Sequence, residues 1–517
     1  MSLKYAGPPA TAATVTTLST NWIWTAAVTL IVIACFDLIE PIANLPFRVP
    51  RNFNEGWNAY WAVTAVSGGQ LYPSLDAEVS NNYPPMSFFL VGFLGQLAGD
   101  PILAGRAVAL ASFLVVTGNI VIWLRSNGVG NALALVSGAA FIITLDALAH
   151  GSIGADDPQW LAHALATTGM VILWRNPRST SRLAGAAILM MLGAWVKHLL
   201  IPLPAAILAW LWHVHRRALW RGLAIAGALG GILLAAARAR YGHDFLGGLV
   251  HAPRRFLPGR SVLMAYSVLP ALFPILCVAS LSLRRYRSAQ AVRFALRYLA
   301  ISAVLAGVAC AGDGVAENAF FDVAIAAALA AGLALEDILG PAAAKCGPQR
   351  FAKAALFVPA VILIAWTPFA VRSNIERFKS LSIRIQATPG DIEFMRHHDS
   401  GGVACENLSL CFWAGASFDL DFFNFGQKLK TGRIPLDACT RLFDGTRYAL
   451  LQLYSAPTDI DTRLPAVCNR IIADHYDVVR KSVNGVFLAA RKRPSTARQA
   501  ASLNPALYDI DIKGTAL

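Results

Sequence analysis

Residues 83–101 read YPPMSFFLVGFLGQLAGDP, and whether this stretch crosses a bilayer decides how the rest of the chain is threaded. The apolar part, Tyr83 to Ala98, is about 15 residues long. At about 1.5 Å rise per residue it falls short of a hydrocarbon core of about 30 Å. It opens on Pro84-Pro85 and closes on Gly99-Asp100-Pro101, so the expectation is a segment lying along the interface. Charge supports this. With the stretch outside the count and the N-terminus cytoplasmic, Arg125, then Arg175, Arg178 and Arg182, then Arg216, Arg217 and Arg221, then Arg284, Arg285 and Arg287, and finally Lys345 and Arg350 all face the cytoplasm. Counting it as a span would turn nearly all of these outward, against the tendency of short cytoplasmic loops to be basic. The exception is the outward loop Arg238 to Arg260, whose five arginines need a local reason.

Around that stretch lie eleven apolar runs: Trp22 to Leu38, Pro101 to Leu124, Ala132 to Ala149, Pro158 to Trp174, Leu183 to Val196, Leu199 to Trp212, Leu219 to Ala237, Val262 to Leu283, Phe294 to Ala311, Asn318 to Leu335 and Ala354 to Val371. Of the 517 residues 56% are hydrophobic and 14% charged, where a soluble chain carries about 25% charge. The mean hydropathy is +0.52. The expected fold is a mainly α, polytopic transmembrane helical bundle of about eleven spans with a small C-terminal extracytoplasmic α/β domain. The formal charge of +14 sits in clusters between apolar runs, so it reports topology and no nucleic-acid partner is expected.

The expected domains are a cytoplasmic tail 1–21, a transmembrane part 22–371 with its first external loop at 40–100, an α/β domain 372–495 and a flexible tail 496–517. The run from Trp22 ends in Asp37 and Glu40 without a small-residue cleavage site, which reads as an uncleaved first span. In the tail, Tyr448 to Tyr454 and Tyr476 to Val479 read as strands, and Asn484-Gly485 as a hairpin turn. Pro389-Gly390-Asp391 reads as the start of a helix reaching His398. Four of the eight cysteines, Cys405, Cys411, Cys439 and Cys468, lie here. They allow three pairings in an oxidising compartment. Cys405 with Cys411 and Cys439 with Cys468 is the pairing expected, against buried free thiols.

This threading brings Glu55, Asp156-Asp157, Lys197, and Asp313 with Glu317 to one face. Glu55 is a functional candidate because a carboxylate beside a membrane is costly, or else a first-turn acid favoured by a helix dipole. Asp157 before Pro158 is explained as a helix cap, which leaves Asp156 without a structural job. Lys197 either snorkels to the interface or binds a lipid phosphate, a role that Arg254, Arg255 and Arg260 would share. Tyr60, with Trp57 and Trp61, suits a helix in the interface. No GxxxxGK[ST], HExxH, paired CxxC or credible GxSxG is present, which removes support for ATP-driven transport, zinc proteolysis and an esterase elbow.

The segments Asn54-Glu55-Gly56-Trp57-Asn58-Ala59-Tyr60, Gly68-Gly69-Gln70-Leu71-Tyr72-Pro73 and Asn82-Tyr83-Pro84-Pro85 resemble the first external loop of GT-C superfamily glycosyltransferases, of the bacterial aminoarabinose transferase and protein mannosyltransferase type. Gly154-Ala-Asp-Asp-Pro158, Lys197 after a span, and Gly312-Asp-Gly-Val-Ala-Glu-Asn-Ala-Phe-Phe321 extend the likeness. The resemblance implies transfer of a sugar from a polyprenyl-phosphate carrier to a lipid, glycan or protein acceptor, in a protein of the bacterial inner membrane with a periplasmic C-terminal domain. It implies Glu55 and Asp156 as the catalytic carboxylates, with Lys197, Arg254, Arg255, Arg260, Tyr60, Tyr83, Asp313 and Glu317 binding substrate. Where relatives carry Asp-Glu, this chain has Asn54-Glu55. The resemblance leaves room for a divalent cation and assigns it no ligands. The Tyr83 to Ala98 stretch would form a floor that the prenyl chain enters from the membrane lipids. The alternative is a transporter or flippase of a lipid-linked glycan.

Overall fold

The structure is a computed structural model that describes residues 11–251, 253–340, 350–398, 401–458 and 463–491. The expected flexible tail, 496–517, lies outside the described residues, as does Lys345. Each apolar run folds as helix. The membrane part consists of α1 (Thr11–Asp37), α2 (Ile39–Asn44), α3 (Asn54–Ser67), α4 (Met86–Ala98), α5 (Pro101–Ser126), α6 (Asn131–Ala149), α7 (Gln159–Arg175), α8 (Thr180–Val196), α9 (Pro202–Val214), α10 (Arg216–Tyr241), α11 (His243–Val250), α12 (Pro258–Ser280), α13 (Gln290–Cys310) and α14 (Phe321–Leu339). Seven helical segments are long and apolar enough to cross a membrane: Asn21–Asn44, Pro101–Ser126, Asn131–Ser152, Arg216–Tyr241, Pro258–Arg285, Gln290–Cys310 and Glu317–Leu339. The runs in α7, α8 and α9 give helices of 17, 17 and 13 residues, below the roughly 20 of a straight crossing. The last run lies in α15 (Arg350–Arg396), 47 residues long.

Helix α14 is the central post. From Phe321 to Ala331 it is buried, and its alanines let α5, α6, α12 and α13 pack against it. The outer helices expose apolar side chains instead: Trp220, Ile232 and Leu234 on α10, and Val262, Leu263 and Phe273 on α12. Facing water this would be a liability; facing acyl chains it costs nothing. The connections alternate between two ends. One gathers Glu55, Asp156, Lys197 and Asp313. At the other, Gly130 N–H donates to Glu336 (2.7 Å) and Arg285 pairs with Asp337 (2.8 Å).

The stretch that decided the threading forms α4, 13 residues or about 20 Å long by its rise. It folds against α3, α5 and α8 and turns its Phe89, Leu90, Phe93 and Leu97 outward. Asp100 then caps α5 by accepting from Ile102 and Leu103 N–H, with Pro101 at the first helical position.

Helix α15 runs through position 372 without a break and carries the chain into a domain built from β1 (Val403–Cys405), α16 (Leu408–Ala414), α17 (Phe422–Lys430), α18 (Ala438–Phe443), β2 (Leu450–Leu453), α19 (Ala466–His475), β3 (Tyr476–Ser482) and β4 (Gly485–Ala490). The sheet order is β1-β2-β4-β3, with β1 parallel to β2 and the other neighbours antiparallel. The hairpin at Asn484-Gly485 forms as expected, with Ser482 opposite Gly485. The helix expected to begin at Pro389 does not: Pro389 and Gly390 lie inside α15. Asp391 is not a cap there. Its carboxylate accepts from Arg480 (2.8 Å), Ser482 (2.6 Å) and Asn484 (2.9 Å), which ties the helix to the hairpin. Cys405 pairs with Cys411 and Cys439 with Cys468.

Candidate active site

Glu55, in the first turn of α3, is completely buried with Arg106 of α5 (2.6 Å). Its Oε1 also accepts from Asp156 N–H, and its Oε2 from Arg106 Nη2 and the N–H groups of Arg51 and Asn52. Burial alone would raise its proton affinity, but the Arg106 guanidinium overrides this and holds the carboxyl below its ordinary range. Arg106 spends its remaining donors on the carbonyls of Asn44, Phe47 and Val49. The pair therefore fastens the start of α3 to α5 and to the Asp156 loop.

Asp156 is the reverse case. It is 3% exposed, and its Oδ2 has no partner. Its carboxylate sits against Gly105 of α5, where a Cβ would come within 1.9 Å of Oδ1. Burial, then the charges of Glu55 and Asp157, push its pKa well above the ordinary carboxylate value. Asp157 caps α7 by accepting from Gln159 N–H (2.8 Å) and also receives Lys197 Nζ (3.2 Å) and Asn54 Nδ2 (3.3 Å).

Lys197 directly follows α8 and is 6% exposed. It donates to Asp157 and to Gln159 Oε1 (2.9 Å), and lies 4.9 Å from the centre of the Tyr83 ring. Burial opposes its charge, and Asp157 and Tyr83 more than offset that, so its pKa is raised. Arg254 also acts on Tyr83; it lies over the Phe423 ring at 4.6 Å, with Nη1 buried and unpartnered. Burial lowers its pKa against the opposing pull of Asp421, Tyr83 and Asp313. Asp313 accepts from Gln427 Nε2 (2.8 Å), and Gln427 Oε1 accepts Arg255 N–H (3.2 Å), so α17 roofs this corner.

The structure thus brings together Glu55, Asp156, Lys197, Tyr83, Arg254 and Asp313. It gives other candidates structural work. Arg260 caps the end of α13 through the carbonyls of Cys310 and Gly312 (3.2 and 2.7 Å). Tyr60 donates to Ala416 O (2.8 Å) and stacks on Phe418, docking α3 to the C-terminal domain. Arg255 and Glu317 point into solvent. Sequence reasoning did not single out Arg106, Gln159, Phe423 or Gln427. Arg106 carries a signal, a lone charge in an apolar run. A second network at this end joins Arg51 to Glu40 (2.6 Å), His150 to Glu40 (2.8 Å), Arg377 to Asp146 (2.8 Å) and Asn374 to Asp37 (2.9 Å), the last two holding α15 against α6 and α1. Among the described residues no three His, Cys, Asp or Glu side chains gather as metal ligands.

The fold is thus a set of helices around an Ala-rich post, with a buried carboxylate layer at one end and an α/β domain beyond it. In fold the chain is similar to ArnT from Cupriavidus metallidurans. It matches the structure bound to undecaprenyl phosphate with a TM-score of 0.55 and 13% identity, and the apo structure with 0.55 and 12%, covering 91% of this chain and 98% of ArnT in each. No family model and no curated protein matches the sequence.

Proposed function

We propose that the chain is a glycosyltransferase that moves a sugar from a polyprenyl-phosphate carrier to an acceptor hydroxyl at the extracytoplasmic face of the bacterial inner membrane. The observation that carries this is a pair of cations, the buried Lys197 and the half-buried Arg254, that both interact with Tyr83, together with the unpartnered Oδ2 of the buried Asp156. The shared fold with a protein solved holding undecaprenyl phosphate supports the carrier.

Transfer breaks the bond between the sugar's anomeric carbon and the phosphate oxygen and forms one from that carbon to the acceptor oxygen. The acceptor proton goes to Asp156, whose raised proton affinity makes it a stronger base than an ordinary carboxylate. The phosphate leaves with the charge that Lys197 and Arg254 stabilise, in a site where burial strengthens the interaction. Glu55 acts through others: it fixes Asp156 by its backbone and raises that residue's proton affinity. Arg255 at the exposed rim is a third cation for an incoming anionic headgroup.

The test is transfer from radiolabelled polyprenyl-phosphate sugars by purified protein. Asp156→Asn should lower turnover by about 10²–10⁴-fold while still binding bare polyprenyl phosphate. Equal turnover in wild type and variant would remove Asp156 from the chemistry. Carrier binding without transfer to any lipid, glycan or protein acceptor would favour the flippase.

A further inference from the structure

Both cations assigned to the phosphate lean on the same short piece of chain, residues 311–320, which joins α13 to α14. Its start lies alongside the segment that carries Arg254. Leu257 N–H donates to Ala311 O (2.6 Å), Asp313 N–H donates to Arg255 O (2.9 Å), and Phe256 and Gly312 form an antiparallel bridge. Gln427 of α17 fastens both segments, through Arg255 N–H (3.2 Å) and the Asp313 carboxylate (2.8 Å). Gly314 then turns the chain against the Phe423 ring that covers Arg254. Its φ of +80° is a left-handed value that glycine adopts freely, and a Cβ there would come within 2.0 Å of the ring.

The other end of the same piece reaches Lys197. Gln159 Oε1 accepts from Lys197 Nζ (2.9 Å), and the Gln159 amide meets Asn318 twice. Asn318 Nδ2 donates to Oε1, and Gln159 Nε2 donates to the Asn318 carbonyl, both at 2.8 Å. These two bonds fix which way the amide faces. A flipped amide would set its NH2 against the ammonium and against the Asn318 NH2, so Asn318 keeps an acceptor in front of Lys197. With Asp157 and Gln159 each taking one N–H, the third is turned to Tyr83, on which Arg254 also acts. Asp313 and Asn318 are five positions apart, at most about 18 Å of extended chain. Neither anchor can therefore move far without the other.

We propose that residues 311–320 act as one strap that sets Lys197 and Arg254 relative to each other, with Asn318 the positioning residue for Lys197 through Gln159. This rests on the glycosyltransferase reading and adds to it the element that spaces two cations for one phosphate.

The test is equilibrium binding of bare decaprenyl phosphate by full-length protein in nanodiscs, with Gln427→Leu as the change at the Arg254 end of the strap. Asn318→Ala, which no longer fixes the Gln159 amide, should weaken binding about three- to tenfold, the worth of one hydrogen bond. The double variant should lose less than the product of the two single losses, because either change alone already frees the strap. Amide exchange in residues 253–257 should quicken in Asn318→Ala, although the substitution lies at the Lys197 end. Asn318→Ser, a milder change, enters the same cycle as a second variant. Losses that multiply, or unchanged exchange in 253–257, would overturn the strap and leave two independent supports. A lower thermal midpoint with unchanged affinity would overturn the positioning role of Asn318. If wild type binds no decaprenyl phosphate at all, the glycosyltransferase reading itself falls.

Discussion

Two carboxylates 101 positions apart in the chain touch through one backbone N–H, yet their surroundings shift their proton affinities in opposite directions. Glu55 meets a guanidinium and stays ionised; Asp156 meets two carboxylates and no cation of its own. If Asp156 is the base, turnover should fall as pH drops through a pKa above the ordinary carboxylate value. Glu55→Gln should move that limb to lower pH by removing a neighbouring negative charge. Complete loss of turnover in a folded Glu55→Gln protein would instead make Glu55 the base. The same substitution strands Arg106 as a buried charge, so it should cost about 3–5 kcal/mol of stability. Asp156→Asn should do the opposite. The folded protein holds this proton more tightly than the unfolded chain, so the group's contribution is fully present below the unfolded pKa of about 3.9. It is lost as pH rises through the folded value. The variant's thermal midpoint should therefore gain on wild type as pH rises from about 4, measured by scanning fluorimetry.

Helix α5 passes Asp156 at a glycine. A Cβ at Gly105 would overlap the carboxylate at 1.9 Å, and neither the helix nor the capped Asp157 beside it can yield readily. Gly105→Ala, stabilising in an ordinary helix interior by roughly 0.5–1 kcal/mol, should here lower both stability and turnover. Unchanged kinetics in the alanine variant would mean that Asp156 is not held where described. Such close approaches are illegible in sequence, since Gly105 sits in a run that reads only as a span. Arg106 next to it did carry a signal, as the one charge in that run. The helices themselves were legible because apolar runs this long have few alternatives, and the hairpin was legible because Asn-Gly names its turn. Strand β1 was not: it has three residues, all buried, so no alternation marks it. Pro389 misled because the bonds that hold this part of α15 come from β3 and the turn after it, about 90 residues away. Asn58 and Ser87 look like the solvent face of amphipathic helices until α5 and α7 close over them.

The membrane part and the C-terminal domain make the cation site jointly. The domain is fastened by Tyr60 to Ala416, by Trp413 to Asp100 (3.0 Å), and by Lys428, which donates to the carbonyls of Ala77 and Val79. Burial lowers the Lys428 pKa to about 8, so this cation is held at a cost in order to pin the loop before α4. Over Arg254, Phe423 supplies the ring, and Gln427 binds both the backbone of Arg255 and the carboxylate of Asp313. The roof thus places Arg254, the arginine proposed to bind the phosphate, without touching Asp156. Gln427→Leu removes both bonds while keeping the volume, leaving Arg254 in a looser loop. The expected result is a rise of about three- to thirtyfold in KM for the prenyl-phosphate donor, about the worth of one to two ordinary hydrogen bonds. The value of kcat should move much less, and amide exchange should quicken in residues 253–257 and 311–316. A fall in kcat at constant KM would place Gln427 with the chemistry and leave the roof no part in holding the donor.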